Sequence, residues 1–397
     1  MSLKINNPHL LKLITTFFGF LGLPTLLLKS SNQKSSFLIL KLSSLITWLW
    51  TAVFNITILY QFAFKDPFLI KKNGGTVNGK PLSLLLYHFS GAILHFVTHA
   101  FLLFYYLFYG NELAEELNKL LLLSFSDEIV LLTTEKAGQN QKKNAFWCFL
   151  FFQLFAGVTF VLCYYDVLST YVQKCFDFKE QMLGFLTMYT DYMYFLLPLL
   201  TAHLLEYTLH QMIRSTLNEF FVQNQNCHFG SEERMNPPLS VIKNLGARHC
   251  RLLKLNSTPL FVVVASNTID ALVVLALAET YINYSYLFHV TTIFAYLFVG
   301  VYYSEKTISL LSGAGQRLHI CKIEQEEALS QFKVLFSRPK AFKSIQNRHL
   351  FYIESLAVYK SYFGLKVFNL FSLSYLWMLQ LMLFILNYTV LIRQTKT

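Results

Sequence analysis

The sequence predicts an all-α membrane protein of seven transmembrane helices, with the N-terminus inside and the C-terminus outside. Three observations carry this. Seven stretches are each apolar over the ~20 residues that a crossing helix requires. The chain of 397 residues is 54% hydrophobic and 17% aromatic, with 39 Phe, more than a water-soluble core of this length needs. The positive charge lies mostly on alternate sides of the apolar stretches. With the N-terminus inside, 23 of the 33 Lys and Arg fall on the inner side and 8 on the outer side, while Lys41 and Lys366 fall within spans. Inner-side enrichment of Lys and Arg is the rule that orients spanning helices.

The elements run in this order. Residues 1–35 form a cytosolic N-terminal segment. Within it, His9–Leu28 holds Lys12 and the turn Gly22-Leu23-Pro24, and is expected to lie on the inner surface with Lys12 reaching to the headgroups. A cleaved signal is the other reading, but Lys29 and Lys34 stand where small residues should mark cleavage. The spans fall at 36–64, 82–109, 144–167, 181–209, 259–285, 286–305 and 365–392. The fifth and sixth are divided at Asn283-Tyr284-Ser285. As a single helix, 259–305 would be far too long for one crossing. The cytosolic loops are 110–143 and 210–258, followed by a helical cytosolic segment at 306–364. Asn111–Leu123 and Ile323–Phe336 carry acids and apolar residues at helical spacing, so the helices should continue beyond the apolar core. Asn224–Pro238, rich in Asn and Gly and ending on a Pro pair, reads as a break. The first six spans, 36–305, make one bundle; 365–397 is the seventh helix with a short outer tail.

The net charge of +11 belongs to inner loops facing anionic headgroups. It is spread along the chain rather than gathered in a basic module, which argues against nucleic acid as a partner. Of six Cys only Cys175 is outside, so no disulfide framework is expected. The outer loops are short, so a ligand must enter the bundle or its outer mouth.

Enzymatic signatures are missing. There is no phosphate-binding Walker loop, no Gly-rich dinucleotide turn, no His-Glu-x-x-His or Cys-x-x-Cys pair and no nucleophile elbow. No enzyme activity, cofactor or bound metal is predicted. The ionisable residues inside the spans are scattered. His88, His95 and His99 line one face of the second span. His95 and His99 could hold zinc, but facing a polar cavity is the simpler reading. Asp270, in the fifth span, must face a wet cavity or a partner, as a ligand contact or a structural bond. In the outer halves of spans two to six stand Tyr87, His88, His95, Tyr164, Tyr189, Asp191, Tyr192, His289 and Thr292, with Asp270 at the floor. Aromatic walls with a few polar groups suit a small organic ligand. The predicted ligand residues are His95, Tyr164, Tyr189, Asp191, Tyr192, Asp270 and His289.

The last span contains Ser374-Tyr375-Leu376-Trp377-Met378-Leu379-Gln380-Leu381. This resembles the signature of the insect gustatory receptors: Thr-Tyr, a hydrophobic run, then Gln-Phe. Here Ser replaces Thr, Leu381 replaces Phe, and the run is four residues rather than five. Gly364, Phe368, Asn369 and Leu370 precede it as they do in that family. Leu11–Pro24 is similar to the family's N-terminal segment, and Arg248 through Asn256 to the helix leading into its fifth span.

The resemblance implies an insect chemoreceptor-like ion-channel fold and a ligand-gated, nonselective cation channel. Such a channel sits in the plasma membrane as a multi-pass homo- or heterotetramer with other gustatory receptor subunits. It opens on a small extracellular tastant bound in the six-helix bundle and passes cations along the seventh helix. Tyr375 and Gln380 match the signature. Gln380 either faces the pore or bonds another helix, since the shortened run rotates it by about 100°. Gln380, Leu383 and Asn387 share one helical face, and with Leu386 they form a narrow section suited to gating. Other readings are an odorant receptor-type channel subunit and a proton-coupled secondary transporter using Asp191, Asp270 or His95. The charge distribution opposes a G-protein-coupled receptor.

Overall fold

In the computed structural model, residues 82–123, 178–226, 236–277, 284–333, 339–367 and 371–394 are described, together with 25–26, 37–38, 46, 49 and 52–53. Six helices account for most of them: α1 (Leu82–Leu123), α2 (Phe178–Asn226), α3 (Asn236–Leu277), α4 (Tyr284–Lys333), α5 (Pro339–Lys360) and α6 (Tyr375–Gln394). The strands are two residues each. β1 (Thr25–Leu26) pairs antiparallel with β2 (Phe37–Leu38), and β3 (Lys366–Val367) with β4 (Phe371–Ser372).

The helix lengths follow from the sequence. α1 does not stop at the end of its apolar stretch but continues through Asn111–Leu123, and α4 continues to Lys333. α2 and α3 are separate helices, described to Asn226 and from Asn236, and α3 and α4 likewise, described to Leu277 and from Tyr284, so 259–305 holds two helices rather than one. α3 opens with Pro237 and Pro238 in its first turn, where a missing N–H removes no helical bond. Among the described residues, one helical segment, Ile93–Leu113, is long and apolar enough to cross a membrane by length and composition. The third span, 144–167, and most of the first, 36–64, lie outside the described residues, as do His9–Pro24 and Tyr164.

Two expectations at the C-terminal end change. The seventh apolar stretch does not begin as a helix at 365, because Lys366–Val367 and Phe371–Ser372 pair as strands and α6 starts only at Tyr375. Gly364, at φ 114°, turns the chain where a side chain would be strained. The Leu365 N–H then goes to the Ser304 hydroxyl instead of a helical carbonyl. Ser374 caps the new helix. Its Oγ accepts from the Trp377 N–H at 3.2 Å, and its carbonyl accepts from the Met378 N–H at 2.9 Å. The hydroxyl residue that opens the signature is therefore the start signal of α6. Lys366 accordingly stands at the root of α6 rather than within it, with Nζ donating to the Ser361 carbonyl at 2.6 Å.

α3 is the central helix and packs against α1, α2, α4, α5, α6 and β3. Its buried face runs Leu245, His249, Leu252, Leu253, Asn256, Leu260, Val263, Val264, Asn267 and Ala271, recurring once per helical turn. One apolar core joins it to Leu102 and Tyr106 of α1, Phe195 and Leu205 of α2, Tyr296 and Val301 of α4, and Met378 of α6. Pro259 interrupts α3 and has no N–H for the Leu255 carbonyl four residues earlier. The Tyr105 hydroxyl of α1 donates to that carbonyl at 2.6 Å. The Asn256 amide of α3 donates to the Pro198 carbonyl of α2 at 2.9 Å. Polar side chains thus cross-link α1 and α2 to α3 near the prolines that interrupt α2 and α3.

Tyr105→Phe should lower stability by about 1–3 kcal/mol, the cost of a carbonyl left unpaired. Thermal unfolding of the purified protein measures it. The loss should shrink when Pro259→Ala restores the helical donor, and an equal loss in both backgrounds would refute this role for Tyr105.

Candidate functional site

Three polar features stand out in the described residues. The first joins α1 to α3. His95 Nε2 lies 3.0 Å from Asp270 Oδ2, with side-chain exposures of 15% and 4%. The histidine stripe read from the sequence therefore meets the buried acid read from the sequence. His95 also lies against the Phe195 ring at 4.9 Å, and His99, one turn further along α1, against Tyr194 at 4.6 Å. Ser266 and Asn267 stand one turn before Asp270. The Asn267 side chain is fully buried, and among the described residues neither end of its amide has a hydrogen-bond partner, nor does the Ser266 hydroxyl. A buried amide without partners is costly, so this layer offers a donor and acceptor set to any polar group that reaches it. Of the other predicted ligand residues, Tyr189, Asp191 and Tyr192 lie on α2 and His289 on α4.

The second feature was not assembled by sequence reasoning. His249 of α3 and Glu206 of α2 are both buried, and their Nε2 and Oε1 are 2.7 Å apart. The other ring nitrogen, Nδ1, lies 2.9 Å from the Tyr362 carbonyl, in the turn after α5. Both partners are acceptors, so the ring meets them best as an imidazolium donating at both nitrogens. Burial pushes the His249 pKa down, but the Glu206 carboxylate and the Tyr362 carbonyl outweigh it and hold the value above the ordinary 6.5. The Phe363 ring stacks at 5.6 Å and shields the pair. Gly246, one turn before His249, makes room for the turn: a Cβ there would lie 3.1 Å from Tyr362 Cβ. The signal in the sequence was an acid, Glu206, in an apolar helix, which requires a partner. That partner is 43 residues away and could not be picked from Arg248, His249 and Arg251 by spacing.

The third feature is α6. Met378, Ile385 and Thr389 are buried and Leu381 half-buried, forming one stripe against the rest of the chain. At 100° per residue, the opposite face carries Leu376, Gln380, Leu383 and Asn387, all exposed. Leu386 is exposed on one flank of that face, and Tyr375 on the same flank, its ring 5.4 Å from that of Phe298. Of the predicted pore residues, Gln380, Leu383, Leu386 and Asn387 thus point away from their own chain, while Tyr375 packs against Phe298.

Comparison of the sequence with family models and with curated proteins finds no match. Solved structures do match, four chains in all. One is the insect olfactory receptor OR5 from Machilis hrabei, with a TM-score of 0.62 and 12% identity over 98% of this chain and 99% of that one. The likeness shows a helical fold shared with that receptor.

The His249–Glu206 pair sets a pH dependence. The folded-state pKa of His249 is raised, so its stabilisation is complete below the unfolded value and is lost as pH rises through the folded one. The melting temperature of the purified protein should fall as pH rises above that value. His249→Ala leaves Glu206 buried and unpaired, which should cost about 3–5 kcal/mol at low pH and abolish this part of the decline. An unchanged decline in the variant would assign it to other groups.

Proposed function

We propose that this protein is a gustatory receptor of the insect chemoreceptor kind: a ligand-gated, nonselective cation channel that opens on a small extracellular tastant. The observation that carries the proposal is the fold, which follows an insect olfactory receptor over 98% of the chain. The signature at Ser374–Leu381 favours taste over smell. The solved neighbour is itself an olfactory receptor, so an odorant receptor-type subunit is the second reading, and a panel of soluble and volatile ligands separates the two.

In this reading the chain sits in the plasma membrane with seven spans, its N-terminus inside and its C-terminus outside. Four subunits surround the axis, and other receptor subunits can take some of the four places. α6 lines the pore. Support comes from its exposed face, where two amides, Gln380 and Asn387, stand among leucines. Amides turned to lipid would be unsatisfied, whereas a water-filled axis satisfies them. Leucines between them form an apolar ring that closes by excluding water. The ligand pocket lies among α1 to α4. His95 and Asp270 stand in it as polar contacts, and Tyr164, Tyr189, Asp191, Tyr192 and His289 belong to its walls.

Each α6 position counts four times in such an assembly, so one substitution rewrites a whole ring. Leu383→Ser should wet the constriction and raise ligand-free current per surface copy severalfold in cells expressing this chain alone. Whole-cell recording normalised to surface labelling measures it. Flat current for both Leu383→Ser and Leu386→Ser, at normal surface levels, would contradict the proposal.

A further inference from the structure

We propose that Glu206 and His249 are positioning residues for gating: they fix the root of α6 to the bundle, so that movement of α2 against α3 is delivered to the pore helix. The inference rests on the channel reading for its consequence, but its mechanical half stands on the geometry alone.

The path is continuous. Glu206 Oε1 accepts from His249 Nε2, and His249 Nδ1 donates to the Tyr362 carbonyl. Three residues on, the Leu365 N–H donates to Ser304 Oγ of α4 at 2.8 Å. The Leu365 carbonyl accepts from the Leu373 N–H at 2.6 Å, closing the β3–β4 hairpin next to the Ser374 cap. The root of α6 is therefore pinned to α2 through one histidine, to α3 through that histidine and the Cys250 thiol, which donates to the same Tyr362 carbonyl at 3.5 Å, and to α4 through one serine. His249, Glu206, Ser304 and Leu365 are each at 1% exposure or less, while the Tyr362 end of the path is exposed.

The two helices that meet at the pair also reach the proposed pocket. Tyr192 lies 14 residues before Glu206 on α2, and Asp270 lies 21 residues after His249 on α3. At 1.5 Å per residue these separations are about 21 Å and about 32 Å of helix, each crossing one proline, Pro198 or Pro259, where the bonds of Asn256 and Tyr105 brace the helices. A displacement at the pocket end reaches the pair as a shift of one helix against the other. A buried charged pair with both ring nitrogens engaged tolerates little slack, and breaking it is costly. The turn it holds is fitted closely, since Gly246 and Gly364 admit it where a Cβ would press on Tyr362 or Ile308.

Three variants reach the link from different sides. Glu206→Gln keeps the acceptor oxygen and removes the charge. Gly246→Ala pushes on Tyr362 and touches neither charged group. Ser304→Ala frees Leu365 from α4. The first measurement is deuterium uptake by the 361–374 segment of the purified full chain, with no ligand added. It should rise in all three variants while uptake along the rest of α3 holds. The second is ligand-free sodium current per surface copy on the Leu383→Ser background. It should change about fivefold or more, as expected of an energetic coupling between sites, and in one direction for all three. Glu206→Gln combined with His249→Gln should change it no more than either alone. A purely structural role would lower surface copies and leave current per copy and uptake unchanged, which overturns the inference. If Glu206→Gln fails to reach the surface, Gly246→Ala and Ser304→Ala decide. If the Leu383→Ser background carries no current, the channel reading fails by itself. Uptake then judges the link: a rise supports the anchoring, and no rise overturns it.

Discussion

A polar group inside an apolar helix bundle must find a partner in the bundle, at a cost of about 1–3 kcal/mol if it does not. That constraint organises this molecule around α3. His249, Asn256 and Asn267 are 7 and 11 residues apart, close to whole turns of a helix, so they lie along one buried face. Asp270 follows one turn later. Asp270 meets His95 of α1, Asn256 meets Pro198 of α2, and His249 meets Glu206 of α2 and the turn leading to α6. The gap that Pro259 leaves in the same helix is filled by Tyr105 of α1. Apolar packing holds α3 at the centre without choosing a register. These directional bonds choose it, because each has one partner at one height.

Much of this was legible in the sequence. Helical spacing of acids and apolar residues in Asn111–Leu123 foretold that α1 outruns its apolar core. The excessive length of 259–305 foretold two helices. The rule that an intramembrane acid needs a partner singled out Asp270, and the histidine stripe supplied His95. What was hidden depends on long-range contact. An apolar run such as 365–392 reads as one helix, because nothing local announces that Leu365 will give its N–H to Ser304, 61 residues away. Glu206 was visible as an acid inside a span, but His249 fell in the 210–258 loop, and their pairing is set by the antiparallel alignment of α2 and α3. The sequence pattern does not give the height at which two helices meet.

α6 shows the same constraint from the other side. It spends one narrow stripe on its own chain and leaves Leu376, Leu379, Leu383 and Leu386 exposed together with Gln380 and Asn387. A wide apolar face needs cover, while two amides among those leucines need water or a partner. In the proposed channel a pore between subunits would meet both needs, with flanking leucines such as Leu379 against neighbours and Gln380, Leu383 and Asn387 toward the axis. The shortened signature raised the question of where Gln380 turns. The angle between Gln380 and the buried Met378–Ile385 stripe answers it for a single chain, since they lie on opposite sides of the helix.

The central claim is that the outward face of α6 lines a water-filled path for cations. Single cysteines along α6, treated during recording with a charged thiol reagent too large for lipid, test it most directly. The account predicts that the Gln380→Cys, Leu383→Cys and Asn387→Cys channels lose current on treatment, while Met378→Cys and Ile385→Cys do not respond. Block at Met378→Cys and Ile385→Cys, or no effect at any of the five positions in channels that conduct, would contradict it.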